Sequence, residues 1–164
     1  MTAEHFIDHL QLQPHPEGGF YREVYRSSAT IASGFLPGFD GERNVCTSIY
    51  YLLQAGDYSA FHRIRSDEIW HFYAGGTLRL HLLHNVSGYR HFYLGSTIDD
   101  DSHFQVLMPA GVWFAAEPAP GTDFTLAGCT VAPGFDFRDF EIAEAEALKG
   151  EFPEQAALIS RLCR

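Results

Sequence analysis

Residues 56–76 read GDYSAFHRIRSDEIWHFYAGG, and the fold assignment turns on this stretch. Two runs that alternate with period two flank a short polar turn, Arg65-Ser66-Asp67. Successive side chains of a strand point to opposite faces. Tyr58, Ala60, His62 and Ile64 therefore share one face of the first run, and Ser59, Phe61 and Arg63 the other. In the second run Glu68, Trp70 and Phe72 share a face, opposite Ile69, His71 and Tyr73. A hairpin through the turn brings His62 and Glu68 together on one interior. A lone histidine is readily satisfied in a core or at a rim. A carboxylate beside tryptophan and phenylalanine is less ordinary, because burying it demands a partner or a raised pKa.

Outward from this hairpin the chain continues as short strands. Thr47–Leu53 precedes it, and Thr77–Leu83, Arg90–Leu94, Phe104–Met108, Val112–Ala115 and Phe124–Val131 follow. Gly56, Gly75-Gly76, Gly88, Gly95, Pro109-Ala110-Gly111 and Pro120-Gly121 punctuate them. Many short strands with regular glycine turns indicate a barrel or a sandwich. No alternation of strand and helix points to a nucleotide-binding α/β fold. Upstream, Ala3–Leu12 has a helical pattern stopped by Pro14 and Pro16, and His15-Pro16-Glu17-Gly18-Gly19 is a turn before a strand at Phe20–Tyr25. Residues 27–43 read as a long loop. Beyond Gly134, Ile142–Leu148 is rich in alanine and glutamate and should be helical, and Pro153 can open a last helix. The expected organisation is one domain over 1–164: an N-terminal arm at 1–26, a core at about 45–132 and a helical segment at 135–164.

Composition narrows the function. The 164 residues carry 46% hydrophobic and 15% aromatic side chains, enough for a core and against global disorder. Eleven basic residues against 21 acidic give a formal charge of -10, which disfavours nucleic acid as a partner of the whole surface. The start of the chain does not read as a secretory signal, no stretch has the length of a spanning helix, and the three cysteines are widely spaced. A cytoplasmic protein without membrane segment, disulfide scaffold or structural zinc is expected.

At this point the sequence resembles the cupin superfamily. Gly56, His62, Glu68 and Gly75 fit the spacing of its first motif, with Ile64 in place of the second histidine. Pro109 and Gly111 fit the second motif, whose histidine place is taken by Phe114. More specifically the chain resembles the Cupin_5 family, long catalogued as of unknown function. The matching segments are HPEGGFYREVYRS, FHRIRSDEIWHFYAGG, LMPAGVWFAA and GCTVAPGFDFRDFEI, in order and over nearly the whole chain. The resemblance implies an all-β cupin-type double-stranded β-helix, a jelly-roll barrel with short N- and C-terminal helices. It also implies an N-terminal segment that can join a neighbouring subunit in a homodimer. The cupin epimerases of rhamnose synthesis are relatives in fold by the same resemblance, and fold analogy does not transfer their chemistry.

A cupin metal site is similar to three histidines and a glutamate. Here Ile64 and Phe114 offer no lone pair, so no cofactor is expected. His62, Glu68 and, through a bulge, His71 are the donors that a divalent metal would have to use. Without metal, His62 and Glu68 with Tyr93 are the catalytic candidates, since histidine exchanges a proton near neutral pH. Tyr21 and Tyr58 offer further hydroxyls, Gln105 a polar anchor, and Trp70, Trp113 and Phe114 aromatic surface for a ligand. Glu17 and Arg22 can line or close a pocket near the N-terminal turn, or form an ion pair at a dimer rim. Three functions compete: an isomerase or epimerase moving protons on a small polar or sugar-like metabolite, a protein that binds a metabolite unchanged, and a degenerate metal-dependent cupin.

Overall fold

The computed structural model describes residues 1–97 and 102–164. Helix α1 (Ala3–Leu10) starts where the Thr2 hydroxyl accepts the His5 N–H, and it ends at Gln11, which takes the left-handed conformation (φ 53°). Its apolar stripe of Ala3, Phe6, Ile7 and Leu10 packs on Leu52, Leu126, Phe20 and Phe124. The strands follow: β1 (Gln13–Pro14), β2 (Phe20–Arg26), β3 (Thr30–Ile31), β4 (Arg43–Asn44), β5 (Thr47–Gln54), β6 (Ser59–Ile64), β7 (Asp67–Gly75) and β8 (Leu78–His84). After them come β9 (Gly88–Leu94), β10 (Ser102–His103), β11 (Gln105–Met108), β12 (Trp113–Pro118), β13 (Phe124–Ala132) and β14 (Phe140–Ile142). Helices α2 (Ala145–Glu151) and α3 (Ala156–Leu162) close the chain.

Among the described residues the strands form three sheets. One runs β1-β2-β5-β13-β7-β11, a second runs β10-β9-β8-β12-β6-β14, and β3 with β4 makes a two-stranded ribbon inside the expected long loop. The principal core draws Tyr51, Trp70, Met108 and Cys129 from the first large sheet and Leu78, Leu80, Leu94 and Phe114 from the second. Each such large side chain stabilises the fold by roughly 1.5–3 kcal/mol when fully buried. On the other face of the second sheet, Phe61, Leu83 and Trp113 meet Leu148 of α2 and Ile159 and Leu162 of α3. No helix among the described residues is long and apolar enough to cross a membrane.

Three expectations need correction. The all-β jelly-roll barrel is not what forms. A barrel requires the last strand to bond the first, whereas both large sheets are open, with edges at β1 and β11 and at β10 and β14. Three of those edge strands are only two or three residues long. Among the described residues the architecture is mixed α and β, with no closed sheet. Second, β6 and β7 are not a hairpin pair. β6 bonds β12 and β14, while β7 bonds β11 and β13, so the Arg65–Ser66 connection carries the chain from one sheet to the other. Third, the helix expected from Ile142 begins at Ala145, where Glu144 caps two N–H groups, because Ile142 still pairs with His62 in β14.

Candidate active site

The site is built on the turn at residues 15–19. Gly18 has φ +119°, and a Cβ there would collide with the Tyr58 carbonyl oxygen, so the position requires glycine. That close approach seats the turn on β6. The Glu17 carbonyl accepts the Ala60 N–H at 3.0 Å, the Gly18 N–H donates to the His15 carbonyl at 3.0 Å, and the Tyr51 hydroxyl donates to the Gly18 carbonyl at 2.5 Å. The Glu17 side chain is thereby held next to His62.

His62 has both ring nitrogens engaged. Nδ1 lies 2.7 Å from the Ala60 carbonyl, which only accepts, so Nδ1 carries hydrogen. Nε2 lies 3.1 Å from Glu17 Oε2, with the two side chains 4% and 7% exposed. A hydrogen bond across this contact needs a proton on one of the two facing atoms. The rings of Phe114 at 4.1 Å and Phe140 at 5.5 Å hold the imidazole in place. His15 behaves differently. Its Nδ1 accepts the Glu17 N–H at 3.2 Å, and burial pushes its pKa down, so it is neutral with hydrogen on Nε2. Its 3.7 Å approach to Glu17 Oε1 is thus not an ion pair.

Glu68 comes from β7, flanked by Met108 of β11 and Val131 of β13. Burial, and then the nearby charge of Glu17, push its pKa up to about 8, against a smaller opposing contribution from the Cys129 thiol. At neutral pH it is mostly an uncharged acid. Among the described residues it makes no ion pair. Burial also raises the Cys129 thiol well above its ordinary range, which removes thiolate chemistry there.

Glu17, His62 and Glu68 line one cavity of ≈ 550 Å³, together with Tyr21, Ile64 and Phe140. It reaches the surface where Phe137 is 57% exposed and where Arg26 and Glu23 form a part-exposed ion pair. The structure thus brings four of the sequence candidates, Glu17, Tyr21, His62 and Glu68, to one cavity. Phe114 backs His62 from the core, and Trp70 is buried behind it with its ring 6.5 Å from that of Phe114. The others lie elsewhere. Arg22 donates to the Leu10 carbonyl at the end of α1, Tyr58 to the Cys163 carbonyl, and Tyr93 packs under the Arg79 guanidinium. Gln105 is exposed on β11 opposite His71, and Trp113 lies under Arg63. The cavity also uses His15, Arg26, Phe135 and Phe137, which the sequence reading did not single out as site residues. Their signal was present in the HPEGG turn and in the alternation of phenylalanine with aspartate at 135–140.

The donor set does not fit a cupin metal. Both His62 nitrogens are committed, Ile64 and Phe114 occupy the other ligand places, and His71 bonds Thr130 at 3.1 Å on a neighbouring strand. Among the described residues no three His, Cys, Asp or Glu side chains gather as a metal site.

Comparison with known proteins places the chain. The Cupin_5 family (Cupin superfamily, DUF985) matches residues 4–143. The chain is 30% identical over 173 aligned positions to the uncharacterized protein YML079W of Saccharomyces cerevisiae, covering 98% of this chain and 86% of that one. A hypothetical protein from Leishmania major superposes with TM-score 0.90 and 33% identity, over 99% of each chain. A protein from Shewanella oneidensis superposes with TM-score 0.88 and 37% identity, over 100% of this chain and 98% of that one.

Proposed function

This chain belongs to the Cupin_5 family of the cupin superfamily, and on that footing we propose that its cavity binds a small polar metabolite and moves a proton on it, as an isomerase or epimerase does. The observation that carries the reading is the Glu17–His62 contact of 3.1 Å, buried at the wall of a ≈ 550 Å³ cavity. Glu17 takes a proton from a carbon beside a carbonyl of the metabolite and returns it either to the opposite face of that carbon or to the carbonyl carbon, the hydroxyl proton of the first carbon passing to the carbonyl oxygen in the second case. His62, locked by the Ala60 carbonyl, holds the carboxylate in position and balances its charge between transfers. Glu68 supplies a second carboxyl that orients the ligand. General acid–base transfer of this kind contributes typically 10²–10⁴-fold to a rate.

The homodimer implied by the family resemblance is part of this proposal. Val24 and Tyr25, 49% and 54% exposed on β2, provide apolar surface for such a contact. Incubating the protein with a metabolite extract tests the function. One compound should fall and another rise with the native protein, and Glu17→Gln should slow that conversion at least about 100-fold. Conversion that persists unchanged in Glu17→Gln overturns the assignment of the base, and retention of one compound without conversion makes the protein a binder.

A further inference from the structure

Acidic groups outnumber basic ones in the cavity wall. Among the described residues four carboxyl groups line it, from Glu17, Glu23, Glu68 and Asp136, against the one guanidinium of Arg26. Arg26 spends four of its five N–H groups within the protein. It donates to both carboxylate oxygens of Glu23 at 3.0 and 2.7 Å, to Asn44 at 2.8 Å and to the Phe135 carbonyl at 3.1 Å. Asp136 is taken up by Arg138 at 2.7 Å, and Glu17 by His62. Glu68 is left, 7% exposed and lining the cavity. The arginines that could have served an anion are engaged elsewhere: Arg63 with Glu141 at 2.7 Å, Arg65 with the Gly38 carbonyl, and Arg22 with the end of α1.

The remaining wall is aromatic. Phe135 and Phe137 meet edge to face at 5.0 Å, Phe137 and Phe140 at 6.0 Å, and Phe135 and Phe140 at 6.1 Å. Tyr21 adds a further ring. Carboxyl groups beside aromatic faces attract an organic cation, and a phosphate or carboxylate is repelled by the same groups.

We propose that the metabolite of this cavity carries a positively charged nitrogen, held by Glu68 and walled by Phe135, Phe137 and Phe140. The proposal rests on the reading above that this cavity is a ligand site. A bound cation makes Glu68 ionise, so binding near neutral pH releases a proton. The groups that share this field are Glu17 and His15 from the N-terminal turn, His62 from β6, Cys129 from β13 and, at the rim, Glu23, Arg26 and Asp136.

Three probes of one shape and different charge test it by calorimetry at pH 8: choline, its neutral carbon isostere 3,3-dimethylbutan-1-ol, and the anion 3,3-dimethylbutanoate. Choline should bind about tenfold or more tighter than the alcohol, and the carboxylate weakest of the three. Glu68→Gln should remove most of the advantage of choline and leave the affinity for the alcohol within about threefold, which also reports an intact cavity. At pH 7, titrations in buffers of different ionisation enthalpy should show proton release with choline and none with the alcohol. An alcohol or carboxylate that binds as tightly as choline overturns the charge assignment and leaves the ligand site standing. Failure of all three to bind, with nothing retained from a metabolite extract, removes both the assignment and the site.

Discussion

Replacing Glu68 by Gln should stabilise the protein, and by more as the pH rises. In the unfolded chain this carboxyl ionises near its ordinary value of 4.5, but in the folded protein burial and Glu17 hold the proton until about pH 8. Below pH 4.5 both states are protonated and the group has no pH-linked effect. Between 4.5 and 8 the folded state binds one proton more than the unfolded state, so stability falls by about 1.4 kcal/mol per pH unit. Above 8 both states are ionised and the penalty is constant. Over the full window of about 3.5 pH units the cost reaches about 5 kcal/mol, of which roughly 3 kcal/mol is present at pH 7. Glutamine keeps the shape and a hydrogen-bonding group without the charge. Urea unfolding of both proteins at pH 5, 6, 7, 8 and 9 reads the difference through the midpoint and slope of each transition. The advantage of Glu68→Gln should grow by several kcal/mol from pH 5 to 8 and then level off. A difference that does not change with pH, or one that grows in favour of the native protein, refutes the reasoning. Carboxylates remote from Glu68 titrate alike in both proteins, so their contribution cancels.

Two further substitutions probe the scaffold of the site. Gly18→Ala should cost about 2 kcal/mol or more, because φ +119° is disfavoured for a side chain and the new Cβ meets the Tyr58 carbonyl; thermal melting checks this, and an unchanged midpoint contradicts it. Arg43→Ala should cost about 3–5 kcal/mol in urea unfolding. It strands Asp139, which now receives two Arg43 hydrogen bonds of 2.6 and 2.8 Å in a buried pair and directly precedes the cavity residue Phe140.

The strands were legible in the sequence because burial on one face leaves an alternation that can be counted. Thr47–Leu53 differs from β5 by a single residue at its end, and Glu68–Tyr73 lies within β7. Partnership between strands leaves no such trace. His62 alternates in the same way whether β6 bonds β7 or, as it does, β12 and β14. For that reason the hairpin and the closed barrel were both inferred and both absent. Residues 140–142 were missed as a strand because three residues are too few to show a period. The site was half legible. His62 and Glu68 stood out as polar groups among aromatics, and both line the cavity. Glu17 stood out only as a residue near a turn, because its approach to His62 depends on how Gly18 lets residues 15–19 lie on β6. Tyr93, Gln105 and Trp113 were chosen by residue type, and residue type does not tell which way a strand faces.

Deuterium oxide offers the most direct test of the central claim, that Glu17, held by His62, exchanges a proton with a bound metabolite. The protein is incubated in deuterium oxide with a metabolite extract, and every compound is weighed by mass spectrometry. The account predicts one compound that gains deuterium at carbon with the native protein and not with Glu17→Gln. It is contradicted if no compound gains deuterium beyond the protein-free control, or if Glu17→Gln labels the same compound at the same rate.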